Sequence, residues 1–365
     1  MKIRAAVLPA PHSSFAIEEL ELDEPRPNEV LVRIVATGIC HTDLSVVEQD
    51  LPAPTPIVLG HEGAGVVERV GSDVTHVAPG DHVVLTFPSC GTCTKCVAGR
   101  AYFCDQILAL ALAGVRTDGS PTVRASDHPV SGCFFGQSSF ATHALAYARN
   151  TVKVPREAPL EMLAPLGCGI QTGAGTVLNV LKPGGSDTIA VFGCGAVGLA
   201  AVMTAHLSGC RTIIAVDRVD SRLELARDLG ATHIVNTSQS DALELMNSLG
   251  GADFAVEATG NSKLLETAVA GLKPFGGVCA MLGVPRAGSS VTFDHSHILT
   301  GRSILGITQG EADPQTLIPR LAQLFIEGRL PLEKLVRVYD LDQINEAAAD
   351  SAAGRTVKPV LRMAR

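Results

Sequence analysis

In the stretch Gly60-His61-Glu62-Gly63 a histidine stands beside a carboxylate. A neutral imidazole nitrogen is an ordinary zinc ligand, and Glu62 supplies a carboxylate just behind it. One histidine does not make a metal site, so its partners must come from elsewhere in the chain. Cys40, in Gly38-Ile39-Cys40-His41-Thr42-Asp43, and Cys168, in Gly167-Cys168-Gly169, are the candidates. Two cysteines and a histidine fill three positions of a tetrahedral zinc and leave the fourth open, as a catalytic ion requires.

A second metal signal is denser. The chain has ten cysteines, many for the cytosol, where disulfides are rare. Cys90, Cys93, Cys96 and Cys104 follow the spacing C-x2-C-x2-C-x7-C. Four thiolates so close together complete the coordination of a zinc ion and read as a structural site. Cys133, Cys194, Cys210 and Cys279 show no grouping and read as small apolar core residues.

The third chemical element is Gly193-Cys194-Gly195-Ala196-Val197-Gly198, which follows the apolar run 188–192 and opens a small-residue segment, 199–208. A GxGxxG between a strand and a helix permits a tight turn, close approach of backbone to pyrophosphate, and close helix–strand packing. The helix N-terminus then stabilises the phosphate charge. Asp217 ends the next strand, 212–216, where a carboxylate accepts hydrogen bonds from the adenosine ribose and repels a 2′-phosphate. The cofactor expected is therefore NAD, with the neighbouring Arg218 as the one residue that could accommodate NADP.

Elements of two kinds must hold these groups. A chain of 365 residues is too long for one ordinary core, so two domains are expected. The first part reads as short β-branched strands at 30–35, 65–70 and 81–85, punctuated by prolines. From about residue 170, strands at 188–192, 212–216, 233–235, 254–257 and 277–282 alternate with helices at 199–208, 221–229, 241–249 and 264–272. That alternation means a parallel, doubly wound sheet and an α/β fold class. An amphipathic helix at 317–326 and a last strand at 358–361 return to complete the first domain. Hydrophobic residues at 46%, charged residues at 18% and 36 glycines suit such a fold. A net charge of −8 argues against a nucleic-acid partner. The first residues lack the apolar core of a secretory signal, and no apolar run is long enough to span a bilayer. A cytoplasmic protein without a membrane partner is expected.

With Gly60-His61-Glu62, the four-cysteine segment and the dinucleotide fingerprint together, the chain resembles the zinc-dependent medium-chain alcohol dehydrogenases along its whole length. The stretches Phe134-Phe135-Gly136-Gln137-Ser138-Ser139-Phe140, Gly167 to Gly175, Gly310-Glu311-Ala312-Asp313-Pro314 and Asp342 to Ala347 are similar to the aryl-alcohol (benzyl alcohol) and geraniol dehydrogenase branch. The resemblance implies a GroES-like zinc-binding catalytic domain over 1–169 and 309–365 and a Rossmann domain over 170–308. It implies a primary aromatic or allylic alcohol as substrate, oxidised reversibly to its aldehyde. Two zinc ions per subunit, one catalytic and one structural, and a homodimer or homotetramer are implied as well.

By the same resemblance Cys40, His61 and Cys168 match the catalytic zinc ligands, and Glu62 the acid beside the metal. Asp43 matches the carboxylate that fixes the tautomer and direction of the ligand histidine. Thr42 matches the hydroxyl that meets the reacting alcohol oxygen and relays its proton. His41 and Lys358 match positions facing the cofactor pyrophosphate, Arg222 a basic residue near the adenosine ribose, and Thr172 and Val197 residues behind the nicotinamide. Many relatives continue the proton relay through a histidine where this chain has Ser45. The segment 107–113 lacks the Asn and aromatic residues of benzyl-alcohol relatives and reads as pocket wall or core; as wall it would widen the site toward bulkier or aliphatic alcohols.

Other readings fit less of the chain. A zinc-free quinone reductase would lack ligands at Cys40, His61 and Cys168. A polyol dehydrogenase commonly has a glutamate where Cys168 lies between glycines. Glutathione-dependent formaldehyde dehydrogenase shares the zinc pattern but not the 134–140 stretch. A zinc-ribbon binding module would need a basic stripe that a chain of charge −8 does not show.

Overall fold

The computed structural model describes residues 1–286 and 288–363. It divides into two compact units, Met1–Cys168 with Asp313–Arg365, and Gly169–Ala312.

The first unit is built on antiparallel β-structure. Its larger sheet runs in the order Val336–Asp340, Lys358–Arg362, Glu29–Gly38, Glu62–Val70, His82–Leu85 and Thr151–Lys153, with His143–Tyr147 also pairing to Glu29–Gly38. Only the first two of these strands are parallel. The strand Glu29–Gly38 alternates little because it is covered on both faces, and Val30, Leu31, Val32 and Ile34 are all buried. A smaller sheet joins Ile57–Val58, Lys2–Leu8, Ala16–Leu22 and Val123–Arg124. The returning C-terminal segment places Lys358 opposite the chain that leads to Cys40, since Val360 pairs with Gly38 and the Ile39 amide donates to the Pro359 carbonyl.

The second unit is a six-stranded parallel sheet in the order His233–Asn236, Thr212–Asp217, Thr188–Phe192, Phe254–Glu257, Val278–Met281, Ser303–Gly306. Helices at Ala196–Leu207, Asp220–Asp228, Ala242–Ser248 and Ser262–Ala270 make the crossovers. The chain reverses direction across the sheet between Thr188–Phe192 and Phe254–Glu257, the switch point at which open α/β sheets bind ligands. Cys133, Cys194, Cys210 and Cys279 are buried, as their lack of grouping suggested.

Segment 107–113 is not core. It contains the short helix Ile107–Leu112, in which only Ala111 is buried and Leu108 is 69% exposed. No helix among the described residues is long and apolar enough to cross a membrane.

Candidate active site and metal centres

Cys40 ends the strand-to-helix connection just before the short helix His41–Val47. Its backbone amide donates to Asp43 Oδ2 at 2.9 Å, so the third residue of the helix caps its own N-terminus. The other oxygen of Asp43 takes His61 Nδ1 at 2.9 Å and the Gly60 amide at 3.2 Å. One fully buried carboxylate thus holds the backbone of Cys40 and the ring of His61 together. With Nδ1 committed to Asp43, His61 turns Nε2 inward, where it is buried with no hydrogen-bond partner among the described residues. A ligand nitrogen without its metal is left in that state.

The ligand atoms of Cys40, His61, Glu62 and Cys168 all lie within 4.8 Å of one another. Burial alone would lower the His61 pKa, but the charge and hydrogen bond of Asp43, aided by Cys40, hold it well above the ordinary imidazole value. The Cys40 thiol is held well below its usual range, first by its hydrogen bond with Cys168, and the same bond pushes Cys168 up. Two thiols that share one proton beside an unpaired imidazole nitrogen are a donor set suited to zinc.

Glu62 is buried, and its carboxylate lies over Gly38, where any Cβ would come within 1.9 Å of Oε2. Lys358 reaches both Glu62 oxygens at 3.0 Å and the Ile39 carbonyl at 3.1 Å. Lys358, expected to face a pyrophosphate, is thus paired with Glu62 within its own unit. The lysine is 3% exposed, and a carboxylate buried beside two thiols requires a cation that the strand Lys358–Arg362 brings within reach. Burial raises the Glu62 pKa to about 7 against the opposing pull of Lys358. Thr42 accepts the Cys40 thiol at 3.9 Å, His41 is exposed, and Ser45 donates to the His41 carbonyl at 3.0 Å. The rings of Phe134 and Phe135 cover His61, with centroids 5.8 and 4.6 Å from the imidazole.

The four sulfurs of Cys90, Cys93, Cys96 and Cys104 form the second cluster, again within 4.8 Å. Backbone amides aim at them: Cys93 N at Cys90 Sγ (3.3 Å), Cys96 N at Cys93 Sγ (3.4 Å) and Cys90 N at Cys104 Sγ (3.2 Å). Amides of Thr92 and Cys93 lower the Cys90 thiol to about 6, while burial raises Cys96 to about 12. Such N–H donors stabilise thiolates, the form in which cysteine ligates metal.

In the second unit the glycine-rich turn takes the shape its spacing implied. Gly193 has φ +95°, open only to glycine at no steric cost. A Cβ on Gly198 would lie 1.7 Å from the Gly193 carbonyl, whereas Gly195 has nothing within 4 Å and leaves room for a phosphate at the start of Ala196–Leu207. Asp217 accepts the Cys194 amide (2.7 Å) on one oxygen and the amides of Arg218 (2.7 Å) and Val219 (3.0 Å) on the other, fixing it at the mouth of this turn. Arg222 Nε is buried without a partner among the described residues, and Arg218 is exposed. The helix Gly169–Gly175 packs so closely on Ala196–Leu207 that a Cβ on Gly173 would come 2.0 Å from the Val197 carbonyl, which sets Thr172 beside Val197. Sequence reasoning missed Gln137 and Thr86, whose buried hydrogen bonds touch the chain at both His61 and Gly167. For Thr86 the signal was a polar residue inside the apolar run 83–87; Gln137, between Gly136 and Ser138, carried none.

A GroES-like fold with a cysteine–histidine–cysteine set, joined to a Rossmann-type unit, defines the class. Residues 26–156 match the alcohol dehydrogenase GroES-like domain, and residues 196–324 match the zinc-binding dehydrogenase domain. The chain is 42% identical to geraniol dehydrogenase of Castellaniella defragrans, over 98% of its own length and 97% of the relative's. Among solved structures it is similar to an alcohol dehydrogenase zinc-binding domain protein from Burkholderia ambifaria (48% identity, TM-score 0.98) and to benzyl alcohol dehydrogenase from Acinetobacter calcoaceticus (43%, TM-score 0.96). Both alignments cover 100% of each chain. The chain belongs to the zinc-dependent medium-chain alcohol dehydrogenase family, and it is an oxidoreductase.

Proposed function

We propose that this enzyme oxidises a primary allylic or aromatic alcohol, of geraniol or benzyl alcohol type, reversibly to its aldehyde with NAD, at a zinc held by Cys40, His61 and Cys168. The observation that carries the metal assignment is the orphaned Nε2 of His61 beside the Cys40–Cys168 thiol pair. Similarity to geraniol and benzyl alcohol dehydrogenases supports the substrate class.

When bound, zinc would polarise the alcohol oxygen and nicotinamide would accept the hydride. The chain's own residues do the rest. Asp43 keeps His61 in the tautomer whose Nε2 faces the metal. Thr42, beside Cys40, is the hydroxyl that would take the alcohol's proton while releasing its own to water. Ser45 already donates to the His41 carbonyl, so its proton is engaged with the helix backbone. The Phe134 and Phe135 rings pack against the imidazole and exclude water from it. Cys90, Cys93, Cys96 and Cys104 would hold the second, structural zinc.

The test is an initial-rate comparison of geraniol, benzyl alcohol, a linear primary alcohol, ethanol and S-(hydroxymethyl)glutathione. Geraniol or benzyl alcohol should give the highest kcat/KM. A preference for ethanol, or a requirement for glutathione, would overturn the substrate class.

Asp217 supports NAD over NADP, because its fixed carboxylate would both bind the ribose hydroxyls and repel a 2′-phosphate. A hydrogen bond to a charged group is worth about 1.5–3 kcal/mol. Asp217→Gly should therefore shift the NADP/NAD ratio of kcat/KM upward by about tenfold or more. An unchanged ratio would remove Asp217 from cofactor choice.

We further propose a homodimer or homotetramer. The edge strand Ser303–Gly306 pairs on one side only, and Leu305 (40%), Leu299 (76%) and Ile298 (45%) stand exposed near it. A sheet edge unpaired among the described residues, with exposed leucine and isoleucine side chains beside it, offers a surface to another chain. Light scattering that gave a monomeric mass would refute this assembly.

A further inference from the structure

Three ligands must be held at fixed separations for an open metal site to form. Asp43 sets Cys40 against His61, and the distance of Cys168 from that pair is the third spacing to be held. That third spacing is set elsewhere, by buried hydrogen bonds that no sequence motif announces.

Gln137 is 2% exposed, and its amide is fully used. Its Nε2 donates to the His61 carbonyl at 3.0 Å and to the Thr86 carbonyl at 3.3 Å, and its Oε1 accepts the Gly63 amide at 3.0 Å. Gln137 therefore grips the start of Glu62–Val70 on both sides of Glu62, from the carbonyl of His61 to the amide of Gly63. Thr86, fully buried just beyond His82–Leu85, continues the chain of contacts. Its hydroxyl donates to the Gly167 carbonyl at 2.7 Å, one peptide bond from Cys168. Asn150, also fully buried, anchors Thr86 in place: Nδ2 donates to the Thr86 carbonyl at 3.1 Å, and the Thr86 amide donates back to the Asn150 carbonyl at 2.9 Å. Close packing backs the hydrogen bonds, because a Cβ on Gly167 would lie 2.2 Å from the Leu85 carbonyl.

The geometry points to Thr86 and Gln137 as positioning residues that fix Cys168 relative to His61 and so set the geometry of the catalytic metal. They act through the backbone of two ligands and touch neither the metal nor the substrate. The inference rests on the assignment of Cys40, His61 and Cys168 as a zinc site. Gln137 and Thr86 are hydrogen-bonded at both ends, and Asn150 Oδ1 is the atom of this network left without a partner among the described residues; loss of a donor from a buried polar network loosens the arrangement it holds. Outer-shell groups of a metal site typically alter affinity by about 10–100-fold when removed. The four-cysteine site, a separate cluster of sulfurs, serves as an internal reference.

The experiment uses the full-length enzyme with serine, alanine and valine at position 86 and methionine at position 137. Zinc content is measured per subunit, zinc release to a chromophoric chelator is timed, and the catalytic site is reloaded with cobalt(II) for its visible spectrum. Wild-type enzyme should hold two zinc ions. If it holds only the four-cysteine zinc, the metal assignment itself fails, and the positioning claim with it. Given two, Thr86→Ala and Thr86→Val should release one zinc about tenfold faster and shift the cobalt band, with the other zinc undisturbed. Thr86→Ser keeps the hydroxyl and should restore both readouts, although it lacks the same methyl group as Thr86→Ala. Gln137→Met should reproduce the alanine result and decides the matter if the position-86 variants do not fold. Release rates and cobalt spectra equal to wild type in the variants lacking the hydroxyl or amide would overturn the inference. So would a serine variant no better than alanine.

Discussion

Replacement of Cys168 by serine is expected to remove one zinc ion per subunit and to lower kcat/KM for the alcohol by about 10³-fold or more. Serine keeps the size of the side chain but is not a thiolate, and zinc in sites of this kind is held by sulfur and imidazole nitrogen. Lewis-acid activation of the alcohol oxygen is worth several kcal/mol, and every 1.36 kcal/mol is tenfold in rate. The substitution leaves the hydrogen bond from the Thr86 hydroxyl to the Gly167 carbonyl in place, so the fold should persist. Metal analysis alongside steady-state kinetics reads both effects. A variant that keeps two zinc ions and near wild-type turnover would show that Cys168 is not a ligand.

The second large effect belongs to the four-cysteine lobe. Cys96→Ser is expected to lose the other zinc and to open segment 90–104 to proteolysis. The lobe has little else to hold it. Val97 is 75% exposed, and the main apolar contact within the segment is the edge-on pair Tyr102–Phe103, with ring centroids 4.9 Å apart. Where a core is this small, metal binding is folding free energy. A salt bridge from Lys95 to Asp105 at 2.6 Å has both side chains largely exposed and adds little. Limited proteolysis with mapped cleavage sites and metal analysis would test this. Cleavage should appear within 90–104 in the variant and not in wild type, while the zinc at Cys40, His61 and Cys168 remains. Unchanged zinc content and unchanged resistance would mean that the four thiols are not a metal site.

The parts of the site legible in the sequence were those whose chemistry demands particular residue types at short spacing. Cys90 to Cys104 and Gly193 to Gly198 fall in this group. Cys40, His61 and Cys168 could be grouped from the sequence because a histidine ligand needs thiolate partners, and the structure brings their donor atoms within 4.8 Å of one another. What the sequence hid was each group's partner. Lys358 is 296 positions from Glu62, and nothing local indicates that a lysine on the last strand closes a buried ion pair. Gln137 lies 76 positions from His61 and Thr86 81 from Gly167, so their bonds exist only once the sheets have formed.

Element boundaries failed for related reasons. The helix Gly169–Gly175 was hidden by its glycines, which are poor helix formers but allow the close approach of Gly173 to Val197. The short helix His41–Val47 begins at a cysteine rather than a usual capping residue, and its cap comes from Asp43. Lys2–Leu8 did not read as a strand because Lys2, Ala5 and Ala6 are residues depleted in strands; its pairing with Ala16–Leu22 and, through Leu8, with Ile57 supplies what propensity does not. The core helices of the second unit were legible because strand and helix alternate there at regular spacing.

The most direct test of the central claim, that alcohol is oxidised at a zinc on Cys40, His61 and Cys168, is to follow geraniol-dependent NAD reduction while zinc is withdrawn by a chelator. The rate should fall in proportion to one zinc lost per subunit and return when zinc is restored, in wild type but not in the Cys168→Ser variant. Turnover that persists after that zinc has left, or that disappears only when the four-cysteine zinc goes, would contradict the account.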